Sequence, residues 1–537
     1  MAKRTNGAIY TKSWVVNLIL DLAGYTSDQD LMSKCAVEPS CGEGAFAIHI
    51  VKRLTESAKL HHKDISQATN ALKFIDSDYR ASEKAKGEVR SLLELEGLDE
   101  QTVEKLLSSW FVLADYILME ELEQVDFVIG NPPYIRSNDL SGDVKESYLA
   151  ICKTMTPGSD IYVGFIEKGL RSLSKTGSIA FICADRWMHN SYGKKLRQMV
   201  SSDYEMRSIV LMHDVSAFEE DVSAYPAIVV IEKEKSGRDC MLAFANSNLN
   251  ETNWKELRES ISLGSEHGAQ GKGFEIGKIS QKRLGEGSWP LIRPAQQEEL
   301  EYLEENFPLL EESAIGTKVG IGMATGKDSV FVVHNEEIAE RERMIPMCTS
   351  KQLSNGNVTE DPLWLVNPWN DNGELVELTD YPRLEAYFNS HYNELANRHI
   401  AKKNSYDWYR TIDKYHSGLE KQPKLLIQDM HMRFEPFYDD SHYPHGNLYY
   451  IIANEWDLEV LGGLLLSDVC ESFIDAYGVK MRGGTLRFQA QFLRKIHVPY
   501  YKDLSDETCR GLKTAFRKRD RRLASEFARK AFQMEGY

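Results

Sequence analysis

The sequence Asp126-Phe127-Val128-Ile129-Gly130-Asn131-Pro132-Pro133-Tyr134 joins a short apolar run to two consecutive prolines. The apolar run predicts a buried strand. Because proline lacks an amide hydrogen and restricts φ, the chain must leave the sheet here. Asn131 and Tyr134 therefore lie at the carboxyl end of a strand, where open α/β sheets bind ligands. A side-chain amide, two carbonyls and an aromatic face suit a planar molecule with an amino group. An ordinary Pro-Pro turn is the alternative interpretation.

Three earlier apolar runs also end in an acidic residue. Glu38, Asp76 and Asp115 each follow a segment that predicts a short strand. Glu38 opens a turn containing Gly42 and Gly44, where a ligand can approach the backbone and the next helix N-terminus. The third glycine of a dinucleotide fingerprint is missing. Three acidic strand ends before the Asn-Pro-Pro-Tyr turn predict a binding site rather than unrelated helix caps.

Strands and helices alternate over the first 235 or so residues. This alternation predicts an α/β fold in which a mostly parallel, seven-stranded sheet is covered on both faces. The alternation stops in a polar, Gly/Ser-rich segment, 235–288, so we expect two domains, 1–236 and 237–537. Near the amino end, the spacing from Trp14 to Leu22 predicts a helix, with Thr11 or Ser13 as its N-cap.

Composition narrows the class of protein. The chain has 537 residues, of which 42% are hydrophobic and 27% charged, as in soluble globular proteins. We see no signal peptide and no apolar run of the roughly 18 residues that cross a membrane. The eight cysteines are scattered, so we expect no metal site, no disulfide framework and a reducing cytoplasm. The net charge of −17 argues against non-specific coating of nucleic acid but allows a DNA enzyme with a local basic surface.

Two basic clusters interrupt this acidic background. The first, 398–403, precedes several aromatic residues and Arg410. Basic residues interleaved with aromatic ones predict a nucleic-acid surface, with Lys402, Lys403 and Arg410 as candidate DNA contacts. The second cluster, 517–522, lies on a helical pattern, and a solvated charged face is an equal alternative there.

Taken in order, these motifs resemble those of the TaqI-like, S-adenosylmethionine-dependent N6-adenine DNA methyltransferases of restriction–modification systems. Lys12 stands where that family often has proline, and Asp76 where it often has glutamate. The cofactor segment precedes the Asn-Pro-Pro-Tyr turn, which looks like the γ arrangement of the family. The matching segments are Tyr10-Thr11, 38–44, Asp76, Asp115, 131–134, 160–165, 320–331 and 486–499.

The resemblance implies a Rossmann-like methyltransferase domain followed by a mixed α/β target-recognition domain. It implies S-adenosylmethionine as the cofactor, and no metal. Glu38 would lie near the cofactor's methionine amino group, Asp76 on its ribose hydroxyls, and Asp115 would accept from its adenine amino group. The implied cofactor-site residues are Thr11, Glu38, Gly42, Gly44, Asp76, Asp115, Pro133 and Phe165.

The implied reaction is methyl transfer to an adenine that has left the DNA duplex. The adenine amino nitrogen needs two acceptors that hold its hydrogens, and the Asn131 side-chain oxygen and the Pro132 carbonyl supply them by positioning. Tyr134 offers one stacking face. Phe218 or Tyr225 is expected to close the other side, with Phe218 preferred, and loop packing is the alternative for both.

We therefore expect a cytoplasmic enzyme that acts as a monomer on double-stranded DNA, without a membrane and without its own nuclease motif. A separate restriction endonuclease would be its partner. Three alternatives stay open: cytosine-N4 methylation, methylation of RNA or of a protein glutamine, and an inactive DNA-binding subunit of a defence complex. Labelled methyl transfer to each substrate, together with cofactor binding, separates them.

Overall fold

The computed structural model describes residues 10–220, 225–359, 361–403, 405–478 and 486–534. The chain divides into two compact units, Met1–Ala295 and Gln296–Tyr537. The boundary lies later than the expected one between residues 236 and 237, because strands on both sides of that point belong to one sheet. The segment 237–295 is therefore part of the first unit, which corrects the expected domain limits. None of the helices in the described ranges is long and apolar enough to cross a membrane.

The first unit is built around a sheet of ten strands within the described residues. These strands are β1 (Ala36–Glu38), β2 (Leu72–Asp76), β3 (Phe111–Leu113), β4 (Val125–Gly130), β5 (Leu173–Ala184), β6 (Glu205–Leu211), β7 (Pro226–Glu232), β8 (Cys240–Ala245), β9 (Gln270–Gly271) and β10 (Phe274–Ile279). The helices of this unit are α1 (Ser13–Ala23), α2 (Ala47–Leu60), α3 (Tyr79–Leu95), α4 (Glu100–Trp110), α5 (Gly142–Ile151), α6 (Tyr162–Ser172), α7 (Arg186–His189), α8 (Lys194–Asp203) and α9 (Trp254–Ser262).

The strand order is β3-β2-β1-β4-β5-β7-β6-β8-β10-β9. Strands β1 to β5 pair in parallel, and β7 lies antiparallel between β5 and β6. The sheet is wider than the expected seven strands because β8, β9 and β10 extend it beyond β6. The order reverses between β1 and β4, which opens a crevice at their carboxyl ends.

Both faces of this sheet are covered by apolar side chains. Phe127 and Ile129 of β4 belong to a buried cluster that includes Val15 of α1 and Ile50 of α2. Val128, which points to the opposite face, belongs to a second cluster with residues of α6. Each fully buried side chain of this size contributes about 1.5–3 kcal/mol of hydrophobic free energy. Burial on both faces explains why β4 is continuously apolar.

Helix α1 contains the predicted segment from Trp14 to Leu22 and ends at Ala23, where it is capped by Gly24, whose φ is +79°. The predicted N-cap is wrong. Lys12 occupies that position without a side-chain cap, and the hydroxyl of Thr11 accepts a hydrogen bond from Asn131 instead. The interpretation failed because a threonine before a helix suits either role, and the choice depends on a residue far along the chain.

The second unit is a mixed α/β structure with three sheets in its described residues, ordered β11-β21-β17-β19-β15-β14, β12-β16-β13-β20 and β18-β22. Its strands are β11 (Thr317–Ile321), β12 (Val332–Val333), β13 (Met344–Cys348), β14 (Leu353–Ser354), β15 (Asn357–Val358), β16 (Leu363–Val366), β17 (Lys424–Gln428), β18 (Met430–His431), β19 (Phe437–Asp439), β20 (Tyr443–Pro444), β21 (Leu448–Ala453) and β22 (Leu486–Arg487). Helix α10 (Pro294–Asn306) spans the boundary, and the others are α11 (Asp328–Phe331), α12 (Pro382–Ser390), α13 (Tyr392–Ala396), α14 (His399–Lys403), α15 (Leu458–Leu465), α16 (Asp468–Tyr477), α17 (Ala490–Leu493), α18 (Asp506–Lys518) and α19 (Arg521–Ala531).

A buried ion pair joins β17 to β19 in this unit. The side chain of Lys424 is 0% exposed, and its Nζ lies 2.8 Å from Oδ2 of Asp439. The same ammonium group donates to the backbone carbonyls of Leu419 and Gln422. The carboxylate of Asp439 also lies 2.7 Å from Nδ1 of His442. These hydrogen bonds compensate for the burial of the two charges. Removing either charge would leave the other buried without a counter-charge, which would lower the stability of the protein.

We expect the substitution Asp439→Asn to destabilise the protein by roughly 3–5 kcal/mol, because it leaves the buried Lys424 ammonium without its counter-charge. The matched control is Asp440→Asn, a change of the same type at an exposed neighbouring position, with an expected effect within about 0.5 kcal/mol. Urea unfolding followed by circular dichroism measures both. Equal midpoints for the two variants would contradict the prediction.

Candidate active site

A cavity of about 290 Å³ lies at the carboxyl ends of β1, β2, β3 and β4. It brings together residues from distant parts of the chain, because the four parallel strands end at one edge of the sheet. All three predicted acidic residues line it. The other predicted residues in its wall are Thr11, Gly42, Asn131, Pro132, Pro133 and Phe165.

Glu38 is the most deeply buried acid of this cavity. It is 2% exposed, and its Oε2 has no hydrogen-bond partner among the described residues. Burial, and then the nearby Asp76 carboxylate, raise the pKa of Glu38 well above its usual range. Leaving a buried polar atom unsatisfied costs about 1–3 kcal/mol. A ligand with a cationic amino group would satisfy this oxygen and favour the charged carboxylate.

The carboxylate of Asp76 is held by two backbone amides. The N–H of Gly42 donates to Oδ2 and the N–H of Asp78 donates to Oδ1, both at 2.8 Å. Each carboxylate oxygen has a further lone pair. Because Asp76 also lines the cavity, those lone pairs are suited to accept hydroxyl groups of a ligand.

The carboxylate of Asp115 is also held by two backbone amides, and in addition by a tyrosine hydroxyl that could not be predicted from the neighbouring sequence. Its Oδ1 accepts from the amides of Ile117 and Leu118, at 2.9 and 3.2 Å. Its Oδ2 accepts from the hydroxyl of Tyr148 at 2.6 Å. Burial, and then the Asp115 carboxylate, raise the pKa of Tyr148, so that its hydroxyl remains a donor. Tyr148 lines the cavity from α5, and no pattern in its segment marked it.

Asn131 is held at both its side chain and its backbone. The Nδ2 of its amide donates to Oγ1 of Thr11 at 3.2 Å, and the hydroxyl of Ser40 donates to its carbonyl at 3.1 Å. Sequence reasoning missed Ser40, although it stands inside the Glu38-to-Gly44 turn. A hydroxyl two residues after the acidic strand end was the available signal.

The aromatic rings of the site lie in two groups. The ring of Tyr134 is 6.4 Å from that of Phe218, at 83°, and 6.2 Å from that of Tyr162, at 61°. The ring of Tyr225 instead packs on His213 at 4.9 Å. Phe218 is therefore in ring contact with Tyr134, and Tyr225 is in ring contact with His213.

Gly44 and Phe165, two of the predicted cofactor-site residues, differ in whether they line the cavity. Gly44 has a φ of +96°, and a Cβ added there would come within 3.1 Å of Ala85 on α3. It is not one of the cavity-lining residues in the described chain, and it allows α3 to approach the turn. Phe165 lines the cavity and packs against Tyr116, with ring centroids 5.4 Å apart.

The predicted DNA-contact cluster of the second unit is only partly at the surface. Lys402 is exposed on α14. The side chain of Lys403 lies outside the described part of the chain. The guanidinium of Arg410 lies 5.4 Å from the Trp369 ring centroid and 3.9 Å from Asp407, and its side chain is 27% exposed. Composition did not distinguish a basic residue at the surface from one that packs inward.

The carboxyl-terminal basic cluster is largely engaged within the second unit. Arg517 of α18 donates to both carboxylate oxygens of Glu459 on α15, and Arg521 of α19 pairs with Glu471 on α16. These contacts tie the last two helices to the rest of the unit, which favours the structural interpretation of this cluster.

Comparison with known proteins gives this arrangement a family. Residues 31–218 match the family model described as Eco57I restriction-modification methylase. The Type II methyltransferase M.PaeR7I of Pseudomonas aeruginosa is 38% identical over 96% of this chain and 89% of its own length. M.BstVI of Geobacillus stearothermophilus is 36% identical, over 94% and 92% of the two chains. M.XhoI of Xanthomonas vasicola is 35% identical, over 99% and 97%.

Solved structures agree at the level of the fold. The Type IIL restriction-modification enzyme MmeI, solved in complex with DNA, superposes with a TM-score of 0.62 at 12% identity, covering 100% of this chain and 77% of that one. The Type ISP enzyme LlaGI gives a TM-score of 0.57 at 13% identity, covering 95% and 46%.

Methyltransferases of this kind use S-adenosylmethionine. The acidic cavity, in which one Glu38 oxygen lacks a partner among the described residues, fits a donor that carries an ammonium group, ribose hydroxyls and an adenine amino group. The resemblance seen in the sequence is confirmed: this chain belongs to the Type II DNA methyltransferases of restriction–modification systems.

Proposed function

We propose that this protein methylates the N6 amino group of an adenine that is flipped out of double-stranded DNA at a specific sequence. The observation that carries the proposal is that Asn131 and Pro132, two acceptors for an amino group, line the same cavity as the three acidic residues. The methyl donor and the target amine would therefore meet within one cavity. We assign recognition of the DNA sequence to the second unit, with Lys402, Lys403 and Arg410 as candidate contacts.

The acidic residues hold the donor by its polar groups. Bound S-adenosylmethionine supplies an electrophilic methyl group on a sulfonium centre. Glu38 accepts from the amino group, and Asp76 accepts from the ribose hydroxyls with the lone pairs that its backbone partners leave. Asp115, fixed by Tyr148, accepts from the adenine amino group with its remaining Oδ2 lone pair. Thr11, Gly42, Pro133 and Phe165 form adjoining walls.

Asn131 and Pro132 position the target. The lone pair of an adenine amino nitrogen is delocalised into the ring, and two acceptors that hold its hydrogens turn that lone pair toward the methyl group. The Asn131 side-chain oxygen and the Pro132 carbonyl fill these roles without a strong base. Restricted φ at Pro132 limits the orientation of its carbonyl, and the Ser40 hydroxyl holds the backbone carbonyl of Asn131. The rate gain comes from orientation.

Tyr134 and Phe218 receive the base. Their rings are nearly perpendicular, so in this arrangement a base stacks on one ring and meets the edge of the other. Phe218 is preferred to Tyr225 because the Phe218 ring contacts Tyr134, whereas the Tyr225 ring packs on His213.

A cellular setting is part of the proposed function. We propose a cytoplasmic enzyme that acts as a monomer on DNA, with a cognate restriction endonuclease encoded separately. The names of the relatives, which are Type II methyltransferases, support the restriction–modification part of this setting.

The first test combines the product and the acceptor. DNA from cells that express the protein, digested to nucleosides and analysed by mass spectrometry, should contain N6-methyladenine; N4-methylcytosine would overturn the choice of base.

The substitution Asn131→Ala should lower single-turnover methyl transfer by at least about 100-fold, because the amine is no longer oriented. The matched control is Asn138→Ala, at an exposed asparagine, with an expected rate close to wild type.

The second test concerns Glu38 and pH. Its raised pKa means that the ligand-free protein holds a proton there below that pKa, and binding of an ammonium group releases it. Affinity for S-adenosylmethionine should therefore rise with pH and level off above the raised pKa. Glu38→Gln should abolish this proton release and weaken binding by about 10- to 100-fold, since a charge-assisted hydrogen bond is lost. Calorimetry in two buffers of different ionisation enthalpy measures both.

Glu43→Gln is the control for this test, because Glu43 lines the same cavity but is 35% exposed and pairs with Lys84. Its proton release should match wild type. Stability gives an independent check. Because the pKa of Glu38 is raised, the stability of the ligand-free protein falls as pH rises through that pKa, and Glu38→Gln removes this part of the fall. Unchanged proton release in Glu38→Gln would exclude the assigned role.

The third test separates the two stacking candidates. Phe218→Ala should lower single-turnover transfer by about 10- to 100-fold, because an aromatic contact with the base, on the face or the edge of the ring, contributes about 1–3 kcal/mol. Phe218→Trp, which keeps an aromatic face, should recover most of the rate. Tyr225→Ala serves as the comparison and should stay within about threefold of wild type. A larger loss in Tyr225→Ala than in Phe218→Ala would assign the stacking role to Tyr225.

A further inference from the structure

Thr11 touches three parts of the site at once. It is 5% exposed and lines the acidic cavity. Its Oγ1 accepts from Nδ2 of Asn131 at 3.2 Å. Its backbone pairs with Phe218 in an isolated antiparallel bridge. A residue that served only as a cavity wall would need the first of these contacts and neither of the other two.

The contact with Asn131 bears on the chemistry of the amide. The two ends of an asparagine amide have nearly the same shape, and only their hydrogen-bond partners distinguish them. In the structure Nδ2 donates to the Thr11 hydroxyl, so Oδ1 takes the acceptor role. A hydroxyl can also donate, and the target amine, which needs an acceptor, favours the same orientation. The reversed amide would present hydrogens to the hydrogens of the target amine, so the transfer step requires one of the two orientations.

The segment around Thr11 is itself held against the loop that carries Phe218. The N–H of Lys12 donates to the carbonyl of Ala217, and the N–H of Glu219 donates to the carbonyl of Tyr10, both at 3.0 Å. The Lys12 ammonium donates to the Ser216 hydroxyl at 2.7 Å. These bonds fix the position of the Thr11 backbone, so the Thr11 hydroxyl can hold the Asn131 amide in a defined position.

We propose that Thr11 is a positioning residue for methyl transfer. Its hydroxyl accepts a hydrogen bond from the nitrogen of the Asn131 amide, so that the oxygen of the same amide faces the target amine. This role is additional to the cofactor contact implied by the family resemblance, and it rests on the proposed function of Asn131. It also ties the Asn131 amide and the Phe218 backbone to the same residue, one by a side-chain hydrogen bond and the other by a backbone bridge.

The test uses Thr11→Val, which keeps the β-branched shape and removes the hydroxyl, and Thr11→Ser, which keeps the hydroxyl. At saturating DNA and cofactor, Thr11→Val should lower the single-turnover rate by about 10- to 100-fold, and Thr11→Ser should stay within about threefold of wild type. Saturating cofactor removes any effect of Thr11→Val on cofactor binding from this rate, and the thermal midpoint should change little in both variants. A role confined to the cavity wall predicts instead a changed dissociation constant for S-adenosylmethionine and an unchanged transfer rate.

A second background shows whether Thr11 acts through the amide. In Asn131→Asp both side-chain ends are oxygen acceptors, so the orientation no longer needs to be selected. Adding Thr11→Val to Asn131→Asp should therefore cost less than about threefold, and a full additional loss would overturn the proposal. If Asn131→Ala itself keeps the wild-type rate, the proposed function fails. If Asn131→Ala is inactive while Thr11→Val transfers methyl groups normally, only the role of Thr11 fails.

Discussion

The reversal of strand order between β1 and β4 is the constraint on which the site depends. The two strands are parallel neighbours, yet the chain leaves them in different directions, so their carboxyl ends border an open crevice. A Cβ added to Gly130 would lie 3.4 Å from Cγ of Glu38, which shows how closely the two strand ends approach. This proximity places an acid that suits a cofactor amine beside the amide proposed to hold the target amine.

The same crevice is costly for the ligand-free protein. Glu38 is buried near a second carboxylate, and one of its oxygens lacks a partner among the described residues. The wide sheet, covered on both faces by apolar clusters, offsets this cost. A bound donor would supply the missing positive charge, so affinity for the cofactor and reduced stability of the empty site have one physical origin.

Features that depend on chain neighbours were predictable. The acidic residues directly follow short apolar runs, and the chain must leave the sheet at the Asn-Pro-Pro-Tyr turn. The position of each at the end of a strand could therefore be predicted from its neighbours in the sequence. Tyr148 could not, because only the packing of α5 brings its hydroxyl to Asp115. The basic cluster before Arg410 could not be interpreted either, since Arg398 donates to the carbonyls of Trp408 and Arg410 inside the unit.

The sequence alone therefore determines which residues follow the ends of the strands, and in what order. It also identifies the acidic residues and the amide that suit a methyl donor and an amine, and it identifies the family. Folding in three dimensions decided three further features: the extension of the sheet past residue 236, the contact of the Phe218 ring with Tyr134, and the hydrogen bond of the Thr11 hydroxyl to Asn131 instead of a helix cap. The reason is physical. Residue type and spacing specify which bonds a side chain is able to form, whereas the partner it meets depends on segments that lie far away along the chain.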